Sequence, residues 1–187
     1  LGVLMVAGEQ GGVMPLPRPV MTVLNFVINI LRSVPFLILM VLVIPLSRLI
    51  IGTSIGTVAT IIPLIVAAFP FVARLVETSL AEVDAGVVEA AQSMGASRLQ
   101  IVWKVYLPEA VPSLILGASI SIITLLGYTA IAGAVGAGGL GDLAIRYGYQ
   151  RSVPSMMLAT VVLIIVLVQI IQSLFSWLST KMDKRLR

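Results

Sequence analysis

Long stretches of this chain carry no charged side chain at all. One runs from Leu49 to Ala73 and another from Ala110 to Gly141. A helix that crosses a hydrocarbon core of about 30 Å needs roughly 20 such residues. Lipid offers the backbone no hydrogen-bond partner, so each N–H and C=O must be satisfied within the fold. The composition points the same way. Hydrophobic residues make up 59% and charged residues 11%, against about 25% charged in soluble domains. The fold class expected is an all-α integral membrane protein, with helix packed on helix within lipid.

Five transmembrane helices are expected. Leu1–Ala7 is too short to span and lacks the basic n-region of a signal peptide, so it reads as the truncated end of a first helix. The further spans are expected over residues 21–46, 49–73, 111–132 and 153–178. As one helix, Ala110–Gly141 would measure about 48 Å at 1.5 Å per residue. Its glycine-rich end is therefore expected in an outer loop, residues 133–152. Pro15, Pro17 and Pro19 separate the first span from the second, because proline removes donors and resists helix. Ser47 and Arg48 are expected in a tight outer turn. Residues 74–109 form a polar island between two spans, and residues 179–187 a basic tail.

Orientation follows from Lys and Arg near the span ends. One side collects Arg18, Arg74, Arg98, Lys104, Lys181, Lys184, Arg185 and Arg187, and the other Arg48, Arg146 and Arg151. This asymmetry puts the island and the C-terminus in the cytoplasm.

Several function classes drop out. The chain has no Cys and no His, which removes thiol chemistry and the commonest metal ligand and general base. No carboxylate pair, nucleophilic triad or metal cluster is legible, so the chain is not expected to be an enzyme or to hold a metal. The net charge of +4 is scattered or sits at span ends, which does not suggest nucleic acid. The glycine cluster Gly133–Gly141 lacks the G-K-[ST] ending of a phosphate loop.

The island is built to form two short helices. Asp84 is placed to cap a helix over 85–94, and Gly95 suits the left-handed position that ends it. Ser97 and Gln100 have the spacing of a capping box, opening a second helix from Arg98 that Pro108 is expected to interrupt. Val87, Ala91 and Met94 are expected on one face of the first helix, and the small Ala90 and Ala91 permit close approach. By physics alone, such a hairpin could serve a soluble partner or pack only on its own bundle.

Within the spans, Thr22, Asn25, Asn29 and Arg32 share one helical face. A charge in a span is costly and tends to face a cavity or a partner. This face is a candidate translocation path; the favoured reading is interhelical hydrogen bonding, with Arg32 snorkelling to the cytoplasmic boundary. Ser121, Thr124 and Tyr128 form a second candidate path stripe, which also fits helix–helix contact. Gly52 and Gly56 make a G-x-x-x-G for which close helix packing is expected. Gly136, Gly138 and Gly139 are candidate elements of an outer gate.

The spacing Glu89-Ala90-Ala91, three residues, Gly95, nine residues, Val105-Tyr106-Leu107-Pro108 resembles the E-A-A loop of the membrane subunits of binding-protein-dependent ABC importers. The family pattern ends I-x-L-P, and Val105 replaces the Ile. Ser33-Val34-Pro35-Phe36, Pro70-Phe71-Val72-Ala73-Arg74 and the run Gly127–Gly141 extend the resemblance over nearly the whole chain, most of all to methionine importer permeases. The resemblance implies a five-helix type I importer bundle. Glu89, Ala90, Ala91, Gly95, Leu107 and Pro108 would then belong to a cytoplasmic helix that docks on an ABC ATPase subunit. It further implies a homodimer, two ATPase copies holding ATP and Mg, an extracytoplasmic methionine-binding protein, and a bacterial inner membrane location. No cofactor is expected on this chain itself. The competing class is a secondary transporter or channel uncoupled from ATP, but every acid is expected outside the spans, which counts against ion coupling.

Overall fold

The computed structural model describes residues 1–9 and 12–183, and among these the chain is helical with turns and no strand. The helices are α1 (Gly2–Ala7), α2 (Arg18–Ser33), α3 (Phe36–Ile51), α4 (Ile61–Ala81, entered through a 3-10 turn Val58–Thr60), α5 (Ala85–Ser93) and α6 (Arg98–Ile101). A π turn, Val102–Tyr106, joins α6 to α7 (Leu107–Gly133). Then come α8 (Gly139–Leu143), a second π turn over Ala144–Gln150, and α9 (Pro154–Met182).

Among the described residues, three continuous helices are long and apolar enough to cross a membrane: Val58–Ala81, Arg98–Gly133 and Pro154–Met182. The pair α2 and α3 reaches that length only together. The expected span over 21–46 is thus two helices. Pro35 has no N–H to donate and disfavours helical geometry at Val34, so the chain stops at Ser33 and restarts at Phe36. Ser47 and Arg48 do not turn. They lie inside α3, with Ser47 fully buried, and the turn falls later, where Gly52 adopts φ 86. Gly56 also has a positive φ, 90, and a Cβ on either glycine would meet nothing within 4 Å, so the G-x-x-x-G serves turns and not helix packing.

The helix expected over 49–73 in fact runs Val58–Ala81. It passes Arg74 because Glu77, one turn on, pairs with the guanidinium at 2.6 Å. Helix α9 likewise continues to Met182, through the first residues of the expected tail; Lys184, Arg185 and Arg187 lie outside the described residues.

The chain divides into two compact units. In the first, Leu1–Ile30 joins Pro70–Ser119 and the end of α9 from Leu174. Its membrane core sets Met5 of α1 against Ile28 of α2 and Ala73 of α4. Gly2 lies so close to α4 that a Cβ there would press on the Ala73 carbonyl and Val76. Ser113 donates to Ser79 at 3.1 Å, and Ser179 donates to the Pro112 carbonyl at 2.9 Å. In the second unit, Leu31–Phe69 joins Ile120–Ser173, around a core of Phe36, Leu39, Met40, Ala67, Ala132 and Ala137.

Candidate functional site

The polar island folds as its sequence dictates up to Ile101. Asp84 leaves helical geometry at φ −59, ψ 126, and its Oδ1 accepts from the Gly86 N–H at 2.7 Å. That bond satisfies one of the orphan donors at the helix start. At the other end the Gly95 N–H donates to Gln92 O at 2.9 Å and the Ala96 N–H to Ala91 O at 3.1 Å. These two bonds are a Schellman motif with Gly95 at its left-handed position, φ 78. The chain reverses there and a new helix begins at once. The Ser97 N–H donates to Gln100 Oε1 at 2.8 Å while the Gln100 N–H donates to Ser97 Oγ at 3.4 Å, a reciprocal capping box.

Hydrophobic burial fixes the angle of this hairpin. Val88 and Ala91 of α5 pack with Ile101 and Val13, flanked by Val83, Ala96, Val105 and Tyr106. The buried edge is thus Val88 with Ala91; of the face expected to hold Val87, Ala91 and Met94, only Ala91 is buried. Val87 and Met94 instead stand exposed, Met94 at 81%, together with Leu99 and Trp103 at 62% and 68%. Glu89 and Ala90 are exposed as well. Leu107 is half-buried and Pro108 exposed.

Pro108 does not interrupt the second helix. Proline lacks an N–H and its ring clashes with the carbonyl four residues back. The π turn Val102–Tyr106, immediately upstream, widens the helix and removes that conflict. The short helix α6 therefore continues into α7 without a break, from Arg98 to Gly133.

Of the candidate path residues, the first stripe acquires charged company. Arg74 of α4 donates from Nη1 to Asn25 Oδ1 and from Nη2 to Asn29 Oδ1, both at 3.5 Å, while Nη1 also bonds both Glu77 oxygens at 2.6–2.7 Å. Arg32, on the same helix as the two asparagines, is exposed in the last turn of α2. Arg74 and Glu77 look in the sequence like a membrane flank. The legible signal was their separation of three residues, which lets opposite charges meet on one helix face.

The second stripe lies in the other unit. Tyr128 stacks on Phe36, with ring centroids 4.3 Å apart and planes 4° from parallel, and so belongs to that unit's core. Ser121 is buried and Thr124 half-buried along α7.

The candidate outer gate is not a loop throughout. Gly136, Gly138 and Gly139 have φ of 88, 81 and 83 and make the reversal from α7 into α8. Thr57 Oγ1 ties the reversal down by donating to the Ala137 carbonyl at 2.7 Å. Beyond it the expected loop 133–152 is mostly helical, because Gly133 and Gly141 let α8 lie directly on α7. A Cβ on Gly141 would strike the Ala130 carbonyl. Asp142 and Arg146 pair at 2.9 Å, and Arg151 sits 4.6 Å from the Tyr147 ring centre. No group of three or more metal-ligating side chains occurs among the described residues.

Comparison with known proteins shows the family and the fold. Residues 3–187 match the family described as "Binding-protein-dependent transport system inner membrane component". The probable D-methionine transport system permease protein MetI of Vibrio cholerae is 53% identical over 99% of this chain and 82% of its own length. The methionine import system permease protein MetP of Bacillus subtilis is 45% identical over 90% of this chain and 76% of its own length. An inward-facing structure of the MetNI methionine ABC transporter superposes with a TM-score of 0.94 at 44% identity, covering 98% of this chain and 84% of that one.

Proposed function

This chain belongs to the binding-protein-dependent transport system inner membrane components, and from that premise we propose that it is the permease subunit of an ATP-driven importer of methionine and its D-enantiomer. The observation that carries the reading is the island. A capped short helix, α5, reverses at Gly95 into α6, and α6 continues through a π turn into α7, a helix long and apolar enough to cross a membrane; together they make a lever with one end in water. Its exposed Val87, Met94, Leu99 and Trp103 offer an apolar surface to a soluble ATPase. Glu89, Ala90 and Ala91 lie on the short helix itself.

The cycle is alternating access. Two copies of this chain enclose the path, and each island docks on one of two ATPase subunits. ATP binding draws the ATPases together, the islands move with them, and α7 transmits the motion so that the bundle opens toward an extracytoplasmic methionine-binding protein. Hydrolysis returns it. The nucleotide and Mg reside on the ATPase, and this chain performs no covalent chemistry. The island and the C-terminus face the cytoplasm in this reading, which the clustering of Lys and Arg supports.

The test is uptake of labelled L-methionine into proteoliposomes holding the permease, its ATPase and its binding protein. Uptake should need all three and ATP, and D-methionine should compete. Uptake by the permease alone, without nucleotide, would place the chain among secondary transporters or channels instead.

A further inference from the structure

The cluster of Asn25, Asn29, Arg74 and Glu77 has a composition that helix packing does not require. Arg74 and Glu77 sit on an apolar helix that passes the length and hydropathy of a membrane span, with side chains only 30% and 20% exposed. A partly desolvated ion pair repays little of its own desolvation, so packing energy alone does not account for two charged groups held on the last turns of an apolar helix. The pair is also bonded unevenly. Arg74 Nη1 is engaged closely by Glu77, whereas both asparagine oxygens stand at 3.5 Å, the outer limit of a hydrogen bond. Asn25 is held in place by its own Nδ2, which donates to the Met21 carbonyl at 3.1 Å.

Side by side, a guanidinium and a carboxylate present a positive and a negative charge in immediate succession. The head group of a free α-amino acid presents the complement, a carboxylate and an ammonium separated by one carbon. Arginine's planar fork suits the carboxylate, and Glu77 suits the ammonium.

We propose that Arg74 and Glu77, framed by Asn25 and Asn29, form a transit site for the zwitterionic head of the amino-acid cargo. This rests on the importer reading above. Arg74 takes the cargo carboxylate, Glu77 takes the ammonium, and the two asparagine amides move in to bond the groups the pair releases. The site reads the head group and leaves side-chain selection to other elements.

The chain has no cysteine, so Thr22→Cys provides a single reporter thiol one turn before Asn25 on the same face without removing a member of the cluster. The variant is assembled with its ATPase subunit in proteoliposomes, and the rate of modification by a water-soluble maleimide is measured. L-Methionine at about ten times its Kd should slow the reaction about tenfold. Methioninol, which lacks the carboxylate, and 4-(methylthio)butanoate, which lacks the ammonium, should not protect at the same concentration. In the Glu77→Gln background the protection by L-methionine should vanish. Equal protection by all three compounds, no protection by L-methionine, or protection that survives Glu77→Gln would overturn the site. The comparison of the three compounds stands even if Glu77→Gln fails to assemble. Failure of the wild-type complex to take up methionine would fall on the importer reading instead, and is measured on the same vesicles.

Discussion

At Gly95 one backbone angle decides the shape of the island. The residue sits at φ 78, and a Cβ there would meet nothing within 4 Å. The demand for glycine is therefore torsional and not a matter of space. An L side chain in this conformation costs roughly 1–2 kcal/mol, with asparagine the residue that tolerates it best after glycine. Gly95→Val should release the ATPase in a pull-down and lower methionine uptake, while the membrane domain still folds. Gly95→Asn should retain most of both. Equal loss for Val and Asn would mean that bulk, and not the left-handed turn, is what the position forbids. Asp84 and the Ser97–Gln100 pair were legible for the same reason: their bonds are made within three residues. The face that α5 buries was not legible, because Val87 and Val88 are chemically alike and only the position of Ile101 and Val13 chooses between them.

Among the elements, the passage from α7 to α8 makes the sharpest demand. The two helices touch through bare backbone at Gly133 and Gly141. Gly141→Ala would drive a methyl group into the Ala130 carbonyl, and overpacking of this kind costs about 1–3 kcal/mol. A lowered Tm of the purified permease in detergent, with island-dependent ATPase binding intact, is the expected outcome. An unchanged Tm would show that α8 can move aside and that the crossing is loose. Sequence alone suggested a loop here, since glycine density signals turns; it cannot say that a glycine serves close approach. Pro108 misled in the opposite direction. A proline normally ends a helix, and only the π turn upstream lets α6 continue into α7.

For the whole molecule, the candidate path residues fall in both units. Asn25 and Asn29 meet Arg74 in one unit, while Ser121, Thr124 and Tyr128 belong to the other. Large apolar side chains stay exposed along the membrane helices, among them Leu42, Leu49, Leu158 and Ile170. Closed two-fold symmetry is the common solution for such a subunit, and it matches a pair of ATPases. Native mass spectrometry of the complex released from lipid should show two permease chains with two ATPase subunits. One permease chain bound to a single ATPase would sink the shared path.

The sequence by itself determined that the chain lives in lipid, where its long apolar stretches fall, and that a capped, charged hairpin lies between two of them. These are local properties: hydropathy accumulates residue by residue, and caps and left-handed glycines act within one turn. The tertiary structure decided which side chains meet. It broke the second span at Pro35, carried α4 past Arg74, buried Val88 in place of Val87, and brought Arg74 and Glu77 to the two asparagines. The last two of those outcomes depend on partners far away in the chain, whereas the break at Pro35 and the Arg74–Glu77 pair are local. A charge that looks like a membrane flank in sequence becomes tolerable inside a helix once a neighbouring element supplies its hydrogen bonds.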